Sequence, residues 1–305
     1  MHKEYALQPD LLSDWQVFRY LYDKFGYDRG RVISRYPSNW TRMVYDSLGN
    51  CMPIEKARII EGLNKLKSAL CPREHEWDRN KNWLDNAIAE HAKQPFYAIL
   101  AKENPNTAAG VILESDLYEE EPRWQAETQR HIERTPEEIA NCAAFLLRNS
   151  KEILFIDPYF HPSVERFKRP LKALLQQIAS RRPSLGIERI EIHTGYDEDS
   201  SVRGVSKDIF DSRCLEHLRP IIPRGLTVRL IRWHQIDLHN RFILTENGGL
   251  IFATGLDDHN NSSSKYDIVN LLAREPYQRT WDEYQLDSQS FSLIENDLLI
   301  EGSAT

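Results

Sequence analysis

Hydrophobic positions change their period partway along the chain. In the first 130 residues most apolar positions recur at helical spacing: Leu11, Leu12, Trp15, Phe18, Leu21, Tyr22 and Phe25, ended by Gly26. A second helix is predicted from Pro53, at an N1 position, through Ile54, Ala57, Ile60, Leu63, Leu66 and Leu70, stopping before Pro72. A third covers residues near 78–92. Two short apolar runs, Phe96–Leu100 and Val111–Leu113, read as strands joined by a turn at Asn104-Pro105-Asn106. The acidic stretch Glu114–Glu121 then reads as an exposed connection. The first part is therefore expected to be a mainly helical domain with a short hairpin, residues 1–130.

From residue 131 the pattern alternates. Thr135-Pro136-Glu137-Glu138 is a helix-start signature, with a side-chain cap and Pro at N1. Ile153-Leu154-Phe155-Ile156 is a continuous apolar run of buried-strand length that ends at Asp157-Pro158. A basic amphipathic segment follows to about Ser180. Next come a strand at 187–193, a helix near 205–218, strands at 226–233, 240–245, 249–254 and 268–273, and a helix carrying Trp281 and Tyr284. Alternating strands and helices predict an α/β domain over residues 131–305, with its chemistry at the carboxyl ends of the strands.

Composition narrows the class. Of 305 residues, 41% are hydrophobic and 28% charged, which excludes a disordered or low-complexity chain. No apolar run approaches the ~20 residues that span a bilayer, so no integral membrane association is expected. The four cysteines, Cys51, Cys71, Cys142 and Cys214, are far apart and form no CxxC pair. That pattern excludes a disulfide scaffold and a cysteine-rich zinc module, and with no secretory h-region it predicts a cytoplasmic protein. No metal-ligand spacing is evident, and no cofactor is expected.

The net charge of -7 argues against a general duplex-DNA binder, but the charge is segregated. Residues 31–73 carry eight basic and three acidic side chains; 166–182 carry six basic (Arg166, Lys168, Arg169, Lys172, Arg181, Arg182) and no acid. Each patch reads either as a solvated helix face or as a surface for phosphates. Arg35-Tyr36-Pro37-Ser38-Asn39-Trp40-Thr41-Arg42 interleaves cations with aromatics, as single-stranded nucleic acid would require. A helix start at Ser38 or Asn39 is the preferred reading. Tyr159 and Phe160 read as core rather than as a stacking platform.

The most informative stretch is His239-Asn240-Arg241-Phe242-Ile243-Leu244-Thr245-Glu246. In a strand, residues i and i+2 share a face, so His239 and Arg241 are expected to project together. A guanidinium clamps two phosphate oxygens, and an imidazole beside it can attack phosphorus or move a proton. Thr254, Asn260 and Asn261 follow as further phosphate contacts, with Arg166, Lys168, Arg169 and Lys172 as a basic flank. Asp157 and His234 are candidates for a supporting role; Asp157 also fits a simple cap or turn.

This stretch resembles the phospholipase D superfamily motif, His-x-Lys-x4-Asp followed by Gly-Ser/Thr and Asn. Here His239 stands in the histidine place, Arg241 in the lysine place, Glu246 in the aspartate place and Ala253-Thr254 near the Gly-Ser place. Asp157-Pro158-Tyr159, Ile192-His193-Thr194, Asn247-Gly248 and Gly255-Leu256-Asp257 are similar to the phospholipase D-like C-terminal domain of MIT-domain, ESCRT-associated proteins. The resemblance covers residues 135–290 and implies a phospholipase D-like α/β C-terminal domain. The superfamily implies metal-independent phosphodiester chemistry by two histidines, and an association with bacterial anti-phage defence that no residue here carries. The MIT-associated relatives imply binding to acidic phosphoinositide membranes and dimerisation. Arg for Lys and Glu for Asp keep charge but change reach. A second motif is absent at His91-Ala92-Lys93, where Ala98 stands seven residues on, and at His217-Leu218-Arg219, where Arg224 does. A homodimer would bring two His239 together. Two functions stay open: a phosphodiesterase, foremost a nuclease, acting as a homodimer with catalytic His239, Arg241 and Glu246; or an inactive module binding nucleic acid, lipid headgroups or a protein partner, such as a member of a defence complex.

Overall fold

The computed structural model describes residues 1–117, 121–182, 184–201, 203–259 and 264–304. Asn260 and Asn261, and the middle of the acidic stretch, lie outside them. The chain divides into two compact units, 2–127 and 128–305.

The first unit is rich in helix but not helical alone. It holds a parallel sheet of β1 (Lys3–Leu7), β2 (Arg31–Ser34), β3 (Leu70–Cys71), β4 (Ala98–Ala101) and β5 (Val111–Leu113), in the order β3-β2-β1-β4-β5. Helices α1 (Trp15–Lys24), α2 (Trp40–Ser47), α3 (Pro53–Leu66) and α4 (Trp83–Lys93) make the crossovers that parallel strands require. Successive residues face opposite ways. Tyr5 and Leu7 join one buried cluster with Phe18, Leu21 and Leu63, while Ala6 joins another with Trp83, Leu84 and Ala87. Both faces are covered, so β1 and β2 lack the polar alternation that marks a half-exposed strand. The expected hairpin is a parallel pair instead, Ile99 facing Val111. His91-Ala92-Lys93 lies in the last turn of α4, outside any strand.

The second unit is mixed α/β. Its elements are β6 (Gln129–Glu133), α5 (Pro136–Asn149), β7 (Glu152–Ile156), α6 (Glu165–Ala179), β8 (Arg189–Tyr196), α7 (Lys207–Leu218), β9 (Thr227–His234), β10 (Arg241–Thr245), β11 (Gly248–Phe252), β12 (Tyr266–Leu271), α8 (Arg274–Glu283) and β13 (Leu293–Glu301). They build an eight-stranded sheet in the order β13-β9-β8-β7-β10-β11-β12-β6. Thr135 caps α5 as its sequence predicts, its hydroxyl accepting the Glu138 N–H at 3.2 Å. β7, β8 and β9 are parallel and buried, with β7 near the centre; β10 runs antiparallel to β7. One face packs Leu154, Ile156, Trp233, Phe242 and Leu244 under Tyr284 and Trp281. On the other, Phe155 and Ile192 meet Phe167, Leu171 and Leu174 of α6. The two outermost strands, β6 and β13, were not foreseen because their burial is slight and their pattern polar. Among the described residues no helix is long and apolar enough to cross a membrane.

Candidate phosphate-binding edge

The carboxyl ends of β7, β8 and β9 meet the start of β10 and the end of β11 along one edge of the sheet. Pairing of Phe242 with Ile156 sets Arg241 across from Asp157. Asp157 is buried, and its carboxylate fastens two chain segments: Oδ1 accepts the Tyr159 N–H at 2.9 Å, and Oδ2 accepts the Leu256 N–H at 3.0 Å. Burial pushes its pKa up to about 6, against the pull of these two amides and of Arg241. Gly255 permits the approach, since a Cβ there would stand 2.6 Å from Asp257 Oδ1 and 3.4 Å from Asp157 Oδ2.

The turn after Asp157 is pinned on its far side too. Gly195 N–H donates to the Pro158 carbonyl at 3.1 Å, and the Thr194 hydroxyl to the Phe160 carbonyl at 3.1 Å. The two aromatics of this turn therefore part. Phe160 is core, but Tyr159 is 44% exposed, which corrects the reading of the pair as core. Arg241 and Arg203 lie over its ring, their guanidinium carbons 5.0 and 5.3 Å from the centroid. Arg241 Nη1 donates to the His239 carbonyl at 3.2 Å, while its buried Nε–H has no hydrogen-bond partner among the described residues. The same holds for Nε–H of Arg203. Stacking desolvates one face of a guanidinium and leaves the in-plane donors to an anion.

The other foreseen residues are placed as follows. His239 lies two residues ahead of β10 and is exposed, so strand alternation does not align it with Arg241; its imidazole forms no hydrogen bond among the described residues. Glu246 is at the opposite end of β10, roughly 17 Å from Arg241 at about 3.4 Å per residue. There its carboxylate accepts the N–H groups of Lys151 and Glu152 at 2.8 and 3.1 Å, stapling the β10–β11 turn to β7. Seven residues of spacing carried it along the strand rather than around it. Thr254 is half-buried, with its N–H given to Asp267 at 3.0 Å. His234 ends β9, its ring 6.3 Å from that of Tyr196, and β8 and β7 separate it from β10.

The basic flank is largely spent on the fold. Arg166 pairs with Asp257 at 3.3 Å, Arg169 with Asp258 at 2.9 Å, and Lys168 with Glu165 at 2.5 Å. Arg134, at the end of β6, also reaches Asp257, at 2.5 Å. Only Lys172 of the four is an exposed cation without such a pairing among the described residues. A count of charges along the chain misses counterions that fold in from 90 residues away. Arg203 and Tyr159 were missed as a site for the same reason: nothing local connects them.

No known protein family matches the chain, and no curated protein matches it. Among solved structures, it overlaps phosphatidylserine synthase of Haemophilus influenzae Rd KW20 over 53% of its length at 13% identity and a TM-score of 0.34. It overlaps TrmBL2, an archaeal chromatin protein with a novel mode of DNA binding, over 52% of its length at 11% identity and a TM-score of 0.25. The overlaps span 38% and 54% of those chains.

Proposed function

We propose that the second unit is a phospholipase D-like module that binds a phosphate-bearing ligand at the Arg241–Tyr159–Arg203 edge. One observation carries the reading: two guanidiniums share one exposed tyrosine ring, and each keeps a buried Nε–H without an acceptor among the described residues. A buried N–H left unpaired costs about 1–3 kcal/mol, and a phosphate oxygen would recover it. Tyr159 adds a platform for a base or sugar, which favours single-stranded nucleic acid among phosphate ligands. Fluorescence anisotropy with a labelled single-stranded oligonucleotide, with anionic vesicles in parallel, tests the reading. Arg241→Ala should weaken binding of one ligand about tenfold to a hundredfold, the worth of a charge-assisted contact.

A second reading, metal-independent phosphodiester cleavage by a homodimer, foremost as a nuclease, is favoured by the exposed and uncommitted imidazole of His239. In-line displacement needs a nucleophile and an acid, and two copies of His239 would supply both. Its test is turnover of a phosphodiester reporter in excess EDTA, lost in His239→Ala, by a protein that light scattering shows to be a dimer.

A further inference from the structure

Beside Tyr159, the segment after β8 and helix α7 flank a shallow recess whose enclosed space is about 10 Å³, room for about one water. Its lining brings together His161, Arg203, Arg213 and Arg232, with Thr194, Gly195 and the ring of Phe210. The four basic groups are held differently. Arg232 is part of the wall: it is 1% exposed, pairs with Glu295 at 3.0 Å, and donates to the carbonyls of Val205 and Arg203 at 2.9 and 3.2 Å. Arg203 gives Nη2 to Asp197 at 3.1 Å and keeps its buried Nε–H unpartnered among the described residues. Arg213 is half-buried and forms no ion pair among the described residues. His161 accepts the Ser163 N–H at Nδ1, 3.2 Å, which leaves Nε2 uncommitted.

The local field is positive. Burial, and then Arg213, His217 and Arg203, hold the His161 imidazole below its usual range. Two carboxylates, Asp197 and Glu295, answer two of the three guanidiniums, and Arg213 is left over. The enclosed space of the recess is far below the roughly 300–1,000 Å³ of small-molecule pockets, so a ligand group would seat at its mouth with its oxygens turned toward the basic side chains. A tetrahedral phosphoryl group offers three acceptor oxygens, matching the donors of Arg203, Arg213 and His161.

We propose that this pocket binds the terminal phosphoryl group of a phosphomonoester. Because Arg203 borders both the pocket and the Tyr159 ring, the remainder of the ligand would leave across Tyr159 toward Arg241; that second half rests on the function proposed above, and the pocket itself does not.

The test is calorimetric titration with inorganic phosphate of the parent, Arg213→Ala, Arg213→Lys and Arg241→Ala, each checked for fold by circular dichroism. Arg213→Ala should weaken phosphate binding at least tenfold, Arg213→Lys should restore most of it, and Arg241→Ala should weaken it less than Arg213→Ala does. Oligonucleotides with a 5′-phosphate or a 5′-hydroxyl then identify the source. A preference for the 5′-phosphate that vanishes in Arg213→Ala assigns the pocket to a strand end; phosphate binding without that preference assigns it to a small phosphomonoester. Either result supports the pocket. No phosphate binding by the parent, or equal binding by the parent and Arg213→Ala, overturns it. Loss in Arg241→Ala with retention in Arg213→Ala overturns it too, while leaving the Arg241 edge standing.

Discussion

The guanidinium of Arg241 lies 5.0 Å from the ring centroid of Tyr159, joining the first residue of one strand to the turn that ends its neighbour. Tyr159 owes its place to the buried carboxylate two residues before it, so the edge is held by Asp157 and used by Arg241 and Tyr159. The ring contributes cation–π attraction of about 0.5–2 kcal/mol, depending on desolvation. Tyr159→Ala should therefore weaken oligonucleotide binding roughly threefold to thirtyfold, and Tyr159→Phe should leave it near the parent. Anisotropy titrations check this; equal loss in both variants would mean that the hydroxyl, not the ring, matters.

Asp157 gives the unit a pH signature. Its folded pKa, raised from 3.8 to about 6 by burial, means that the folded protein holds a proton the unfolded chain has released. This contribution to stability is fully present below pH 3.8 and is lost as pH rises through about 6. Asp157→Asn keeps one acceptor for Tyr159 and removes the titration. The stability difference between parent and Asp157→Asn should drift by about 2 kcal/mol between pH 4 and pH 6.5, measured by urea unfolding. A parallel pair of stability curves would assign that carboxylate an ordinary pKa.

Glu246 separates fold from site. Its carboxylate accepts two backbone N–H groups at the far end of β10, so Glu246→Ala should cost about 1–3 kcal/mol in thermal or chemical unfolding. Ligand affinity of the folded variant should stay at the parent value. An affinity loss comparable to that of Arg241→Ala would return Glu246 to the site.

How much of this was legible from residues alone differs between the two units. Ile153–Ile156 announced a buried central strand because four consecutive apolar residues need cover on both faces, and Thr135 announced its helix through a local cap. In the first unit Tyr5-Ala6-Leu7 carries no such length, and its strand exists only because α1, α3 and α4 cover both faces. The same limit applies to the site. Arg241 was found through local spacing with His239, whereas Arg203, Arg213 and His161 converge from three separate segments. Conversely, Arg166 and Arg169 looked available because Asp257 and Asp258 are distant in sequence.

Those two ion pairs reverse the expectation for the basic helix. Arg169→Glu would face the buried carboxylate of Asp258, and half-exposure of the arginine limits the effect to about 1–2 kcal/mol. The unfolding midpoint should fall by several degrees for Arg169→Glu and stay unchanged for Lys172→Glu. Equal midpoints would show that the helix face is merely solvated.

The central claim is that Arg241 contacts a ligand phosphate. The salt dependence of single-stranded oligonucleotide binding measures this directly, because each neutralised phosphate releases counterions and adds about 0.7 to the slope of log K against log salt. The account predicts that Arg241→Ala lowers both the affinity and the magnitude of that slope, the latter by about 0.7, while Glu246→Ala changes neither. An Arg241→Ala protein that is folded and binds with the parent's affinity and slope would contradict it.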